Sequence, residues 1–318
     1  MKRLALIAVL IGLPVQTALA GVCEVGPIVL SVANLDRELA FYTNTLPFRL
    51  IGEEHAHGPE LEQLTGLLGA HTRSATLQLG EERIRLTQFI APVGRPIPAD
   101  SRSFDHWFQH LALVVSDMDR AYEGLRSAKV KHVSTAPQTL PAWNPNAGGI
   151  RAFYFRDPED HVLEAIWFPP GKSDPKWPRL MAAGTTNLFL GIDHTAIVVG
   201  DTDRSLAFYR DTLGMRVAGG AENWGVEQEH LNQVFGARLR ITALRAERGP
   251  GIEFLEYITP PGGRPLPVEA RVSDLLAWRV ELAWPAQKLA TLPGTPVGHS
   301  REAALVRDPD GHLLEVHP

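Results

Sequence analysis

Residues 194–214 read HTAIVVGDTDRSLAFYRDTLG. An apolar run, Thr195–Val199, passes through a polar turn at Asp201-Thr202-Asp203 into Leu206, Phe208-Tyr209 and Leu213 at helical spacing, which predicts strand, turn and amphipathic helix. The phrase recurs at 32–48 as VANLDRELAFYTNTLPF and at 110–125 as HLALVVSDMDRAYEGL, the latter aligning from His194 without a gap. A closing phrase repeats too: AFYFRDPEDHVLEAIWF at 152–168 returns as AALVRDPDGHLLEVHP at 303–318. Each half of the chain thus begins and ends alike, and the finer echo divides it again, so four related modules are expected.

After Gly214, the runs Met215–Ala218, Ala237–Ala243 and Ile252–Ile258 are rich in Val, Ile, Leu and Phe and predict strands. The module therefore reads β-α-β-β-β, its last strands joined by turns such as Asp157-Pro158-Glu159-Asp160 and Asp308-Pro309-Asp310-Gly311. The connectors PVGRPIP (92–98) and PPGGRPLP (260–267) repeat as well. Residues 169–189, with Pro169, Pro170, Pro175 and Pro178, predict an extended linker between a first domain at 21–168 and a second at 190–318.

At 318 residues with 44% apolar and 21% charged side chains, the chain is expected to be globular, with two domains. Lys2-Arg3, the apolar run Leu4–Leu13 and Ala18-Leu19-Ala20 match the three parts of a secretory signal at 1–20. The apolar run is about half of the roughly 20 residues a membrane span needs, so no stable membrane insertion is expected and the mature protein is placed in the periplasm or outside the cell. Val22 precedes Cys23 where a lipidated Cys normally follows a small residue, and with a single Cys no internal disulfide can form. Without Lys2 and Arg3, 29 basic residues face 36 acidic ones, a balance unsuited to nucleic acid.

The chain beyond residue 20 resembles the vicinal oxygen chelate superfamily of glyoxalase I, methylmalonyl-CoA epimerase, extradiol dioxygenases and bleomycin-resistance proteins. HTAIVVGDTDRSLAFYRDTLG is similar to the first strand and helix of such modules, and FRDPEDHVLEAIWF to their last hairpin. The resemblance implies an α+β fold of four β-α-β-β-β modules, paired into two glyoxalase-like domains whose curled mixed sheets surround clefts. It does not by itself imply a reaction.

The resemblance further implies that metal ligands come from the first and last strands of a module. By alignment the first-strand position is Pro27, His110, His194 and Arg279, and the last-strand position is Gln88, Glu164, Glu256 and Glu315. Modules two and three then hold His110, Glu164, His194 and Glu256. Modules one and four hold Pro27, which has no donor, and Arg279, a cation. Imidazole and carboxylate suit divalent Fe, Ni, Zn, Co or Mn. Pairing modules as sequential halves would split the set, whereas fused four-module glyoxalases resemble a swapped dimer in which the middle modules share one site. The bland readings are a structural His beside an apolar strand and a Glu on a solvent face. His161 and His312, in the closing turns, are assigned to turn structure.

Such an ion acts as a Lewis acid toward adjacent oxygens and favours an enediolate, with Glu164 or Glu256 as base. This is the lyase or isomerase chemistry that the resemblance implies. An extradiol-type dioxygenase using His110, His194 and Glu256 on iron is the alternative. A metal-free binder, with Trp143, Trp224, Tyr154 and Phe254 lining a pocket, is a third reading. The expected partner is a small-molecule substrate, and the chain is expected to be a monomer or homodimer.

Overall fold

The computed structural model describes residues 21–285 and 292–318; the signal read at 1–20 lies outside them. Module one comprises β1 (Glu24–Val32), α1 (Leu35–Asn44), β2 (Arg49–His57), α2 (Pro59–Thr65), β3 (His71–Leu79) and β4 (Glu82–Ala91). Module two comprises β5 (Gln109–Val115), α3 (Met118–Ser127), the short β6 (Lys131–His132) and β7 (Gln138–Thr139), β8 (Arg151–Arg156) and β9 (Val162–Trp167). A helix α4 (Lys176–Ala182) follows, so the expected extended linker is partly helical. Module three comprises β10 (Phe189–Val198), α5 (Thr202–Leu206) continuing as a π-helical turn to Thr212, β11 (Arg216–Trp224), α6 (Val226–Asn232), β12 (Arg238–Arg245) and β13 (Gly251–Thr259). Module four comprises β14 (Arg279–Ala283), β15 (Thr295–His299), β16 (Ala304–Arg307) and β17 (Leu313–His317).

The polar turn before each helix caps it. Asn34, Asp117 and Asp201 occupy the same module position, and each side chain accepts a backbone N–H of the first turn, a contact stabilising a helix by about 1 kcal/mol. Met118, Ala121 and Leu125 then bury one face of α3, and Leu35, Glu38 and Tyr42 the matching face of α1.

The sheets do not follow the sequential halves. One has the order β15-β16-β17-β14-β1-β4-β3-β2 and joins modules four and one; the other has the order β11-β12-β13-β10-β5-β9-β8-β6 and joins modules three and two. At each centre two first strands run antiparallel, β1 beside β14 and β5 beside β10, and each is flanked by its own module's last strand in parallel. The ligand-bearing strands of the middle modules are thereby neighbours.

The two repeated phrases meet in space. Tyr42, from the first phrase of module one, donates its hydroxyl to Asp157 in the closing turn of module two at 3.2 Å; Tyr209 of module three donates to Asp308 of module four at 2.9 Å. His161 and His312 turn Nδ1 onto these same aspartates at 2.8 and 3.0 Å, the turn role expected of them. Helix and turn thus join modules consecutive in sequence but lying in different sheets. Apolar clusters fill the space between: Leu30, Tyr42, Leu113 and Phe153 in one, Ile197, Tyr209, Phe254 and Leu314 in the other.

Candidate metal centre

His110 lies on β5 and His194 on β10, and their backbones pair at Ala196↔His110 and His194↔Ala112. Side chains two residues apart share a sheet face, so both rings stand on the cavity side with centroids 5.7 Å apart. Glu164 arrives from β9, paired in parallel with β5 at Ala112↔Glu164. Its Oε2 is 3.2 Å from Nε2 of His110 and 3.6 Å from Nε2 of His194. One ligand atom from each of the three residues lies within 4.8 Å of the others, and all three residues are buried.

The nitrogens facing Glu164 are polar, buried and orphaned: neither ring nitrogen of His110 nor Nε2 of His194 makes a hydrogen bond. Buried polar atoms are normally satisfied, and a divalent cation between two imidazoles and a carboxylate would satisfy these. The donor set therefore fits such an ion.

Glu256 does not join this cluster. In β10–β13 the parallel register places Ala196 opposite Glu253, the relation that Ala112 bears to Glu164, so the module-three counterpart of Glu164 is Glu253. An offset of three residues along a strand crosses to the other face. Oε1 of Glu253 lies 3.6 Å from Nε2 of His194, whereas Glu256 accepts the backbone N–H of Thr202 at the start of α5. The same correction applies in module one. Gln88 accepts the N–H of Leu35 at the start of α1, and by register Arg85 occupies the ligand-equivalent position. The letters themselves favour Glu256, since FLE (254–256) matches VLE (162–164) better than GIE (251–253) does; the register separates the two glutamates, and Phe254, buried in the core, shares its strand face with Glu256.

A bulge in β10 between Ile192 and His194 leaves Asp193 unpaired across from β5, and Asp193 and His194 both line the cavity. Oδ2 of Asp193 receives Nδ1 of His194 at 2.9 Å, which fixes one proton on Nδ1 and leaves Nε2 as the nitrogen that, on losing its proton to a bound metal, presents a lone pair to the cluster. Burial depresses the pKa of His194, but the charges of Glu253, Asp193 and Glu164 outweigh it and raise the value to about 9. The Glu253 carboxyl is itself pushed up, by burial first and then by the charge on Glu164. Tyr154 packs its ring 4.7 Å from that of His110.

Tyr154, Glu164, Asp193, His194 and Glu253 line a cavity of about 640 Å³, with His110 buried behind them. Tyr154, Ile166, Leu239 and Leu255 make an apolar surface, and Asn223 and Gln228 contribute amides. Trp143 and Trp224 lie outside its lining, stacked on each other with centroids 3.9 Å apart, and Phe254 is buried in the core. Of the aromatics suggested for a pocket, only Tyr154 lines this one.

The family model Glyoxalase/Bleomycin resistance protein/Dioxygenase superfamily matches residues 24–165 and 191–316. The chain belongs to this superfamily. A lactoylglutathione lyase of Haemophilus influenzae is 31% identical over 124 residues, which are 38% of this chain and 87% of that protein. Lactoylglutathione lyase GLX1 of Arabidopsis thaliana is 25% identical over 190 residues, 60% of this chain, and the match spans only 54% of the plant protein. Glyoxalase I from Zea mays superposes with TM-score 0.57 at 18% identity over 92% of each chain. A putative dioxygenase from Bacillus subtilis superposes with TM-score 0.55 at 13% identity over 93% of this chain and 85% of that one. At such identities these two structures establish the shared fold alone.

The outer modules of this superfamily member build a different centre. Arg279 sets Nε 3.2 Å from Oε2 of Glu315, Arg85 reaches Glu281 at 2.7 Å, and His317 lies 3.2 Å from Glu315. Glu281, Glu315 and His317 are close enough to share an ion, yet two guanidinium groups already face the two carboxylates. Burial pushes Glu315 up, but His317 and Arg279 outweigh it and hold its pKa below the ordinary value. Arg279 stands where module two places His110, and Pro27 where module three places His194.

Proposed function

We propose that His110, Glu164 and His194 hold a divalent metal ion and that the chain is a metal-dependent lyase or isomerase acting on a small substrate with adjacent oxygens. The observation that carries this reading is the convergence of two imidazoles with orphaned nitrogens and one carboxylate, drawn from two modules, beside a roomy cavity that Glu164 and His194 line. The kinship with lactoylglutathione lyases supports the lyase class. The ion, when bound, supplies Lewis acidity toward two neighbouring substrate oxygens.

The remaining work falls to the chain's own side chains. Glu253 takes a proton from the substrate carbon beside the carbonyl and returns it to the adjacent carbon or to a departing group. Its burial beside Glu164 makes it a stronger base than an exposed carboxylate. Asp193 keeps His194 in the Nδ1–H tautomer, and the wall of Tyr154, Ile166, Leu239 and Leu255 excludes water. Metal analysis of protein purified without added metal, followed by reloading with Fe, Ni, Zn, Co or Mn, tests the reading. One ion per chain at saturation is expected; no retention under any condition leaves a metal-free binder.

One observation favours an alternative. Two His and one Glu form the closest set, with Glu253 slightly apart, and a two-His, one-carboxylate face is the ligand set of iron oxygenases. Ring-opening of a catechol by the Fe(II)-loaded protein under oxygen, without isomerase activity, would establish it. We also infer from residues 1–20 that the mature protein works in the periplasm or outside the cell, and an intact Met1 in the mass spectrum of most molecules from a native-like host would overturn this.

A further inference from the structure

We propose that the segment joining the two halves belongs to the metal centre, with Trp177 acting as a positioning residue for His194; this rests on the metal reading above. Trp177 is 1% exposed and is among the largest fully buried side chains. Its Nε1 donates to Oδ1 of Asp193 at 2.9 Å, and the other carboxylate oxygen, Oδ2, receives Nδ1 of His194 at 2.9 Å. Arg245 closes the set, donating to Oδ2 at 2.8 Å and to the Asp193 carbonyl at 2.7 Å. The two carboxylate oxygens of Asp193 are thus held from three directions, by Trp177, His194 and Arg245, which leaves the carboxylate little freedom to rotate.

The backbone leading into the bulge is fixed by the same segment. A Cβ at Gly191 would lie 2.8 Å from Cη2 of Trp177 and 2.5 Å from Oε2 of Glu82, so the indole packs directly on the chain there. Glu82, at the start of β4 in the other sheet, accepts the N–H of Ile192 at 3.0 Å and pairs with Lys176, whose ammonium sits 4.1 Å over the Trp177 ring. Residues 191–193 are therefore held by module one, by the joining segment and by β12 together. His110 has no comparable support, since its Nδ1 makes no hydrogen bond. His194 is the pre-oriented ligand of the pair, and outer contacts of this kind typically change metal affinity by roughly 10- to 100-fold.

The test is Trp177→Phe, which keeps a ring and deletes the N–H. Chelator competition with Zn(II) or Co(II) is expected to show binding weakened about tenfold or more, with a shifted visible spectrum for the Co(II) form. Trp278→Phe, a buried Trp beside His161, is the control and should retain wild-type affinity. Nitrogen-15 NMR of the metal-free protein, recorded at a pH above the His194 value of about 9 where the ring is neutral, should show the Nδ1-bound proton of His194 exchanging between tautomers in the variant but not in the wild type. Wild-type affinity, Co(II) spectrum and tautomer in Trp177→Phe would overturn the proposal and reduce Trp177 to a space-filling role. If the wild type binds no ion, the metal reading fails, while the NMR comparison still decides whether Trp177 orients His194. Should Trp177→Phe not fold, Gly191→Ala, which displaces the indole, is read the same way.

Discussion

Nε2 of His194 lies 3.6 Å from Oε2 of Glu164, although the two residues belong to different halves of the chain. No path along the backbone brings them together. Their meeting depends on β5 and β10 lying antiparallel at the centre of one sheet, with each module's last strand on the outer side. The candidate centre is consequently a product of pairing between halves, and its chemistry is lost if that pairing fails.

His110→Ala and His194→Ala are each expected to lower bound metal sharply, measured per folded chain. His161→Ala is expected to leave metal content unchanged while costing roughly 1–3 kcal/mol of stability, because it strips a buried partner from Asp157. Equal metal loss in all three variants would contradict the assignment.

Exchanging glutamates separates base from cap. Glu253→Gln should reduce turnover by about 10²–10⁴-fold with the fold intact. Glu256→Gln should retain turnover within a few-fold and change stability by no more than about 1 kcal/mol, since an amide oxygen still accepts the Thr202 N–H and the other contact altered, Arg240 at 3.8 Å, is a partly exposed ion pair. Steady-state kinetics beside thermal melts would check both, and the opposite pattern would restore Glu256 to the site.

The outer cluster leads to a stoichiometry. One equivalent of metal per chain is expected at saturation, because Arg279 and Arg85 already neutralise Glu315 and Glu281. Arg279→Ala removes one of the two partners of buried Glu315 and leaves His317 in place, so it should cost about 1–3 kcal/mol, read by denaturant unfolding. A second equivalent bound by the wild type would refute this.

Glu38 makes stability depend on pH. It is fully buried in α1, and burial first, then the charges on Asp157 and Glu159, push its pKa from 4.5 to about 10. Between those values the folded state binds the extra proton, so the stabilisation is complete below the lower value and is lost as pH rises toward the upper one. Glu38→Gln, uncharged at every pH, should gain on the wild type as pH rises, by at most about 1.4 kcal/mol per pH unit. Parallel stability curves for the two proteins would sink the prediction. Ser205, the counterpart of Glu38 in module three, meets Asp310 as a neutral hydroxyl, which shows that the position does not require an acid.

Much of this architecture was legible in the chain. Repeated phrases located the modules, the polar turn at Asp201-Thr202-Asp203 marked a helix start, and alignment of the first strands under the family resemblance pointed to His110 and His194. These features are local: capping, alternation and turn chemistry act over a few residues, so each leaves its mark in consecutive letters. Glu164 was readable for the same reason, its strand following a turn shared with module four.

Tertiary structure decided the rest. Glu253 and Glu256 are both glutamates on one strand, and only the pairing of Ala196 with Glu253 tells which faces the cavity, because a three-residue offset reverses the face. The role of Trp177 was hidden in a proline-rich segment, since its partner Asp193 is turned toward it by a bulge that depends on β5. That modules two and three share a sheet, while one and four share the other, follows from strand pairing across the whole molecule. Such pairing is set by the burial of apolar faces that no single stretch of sequence contains.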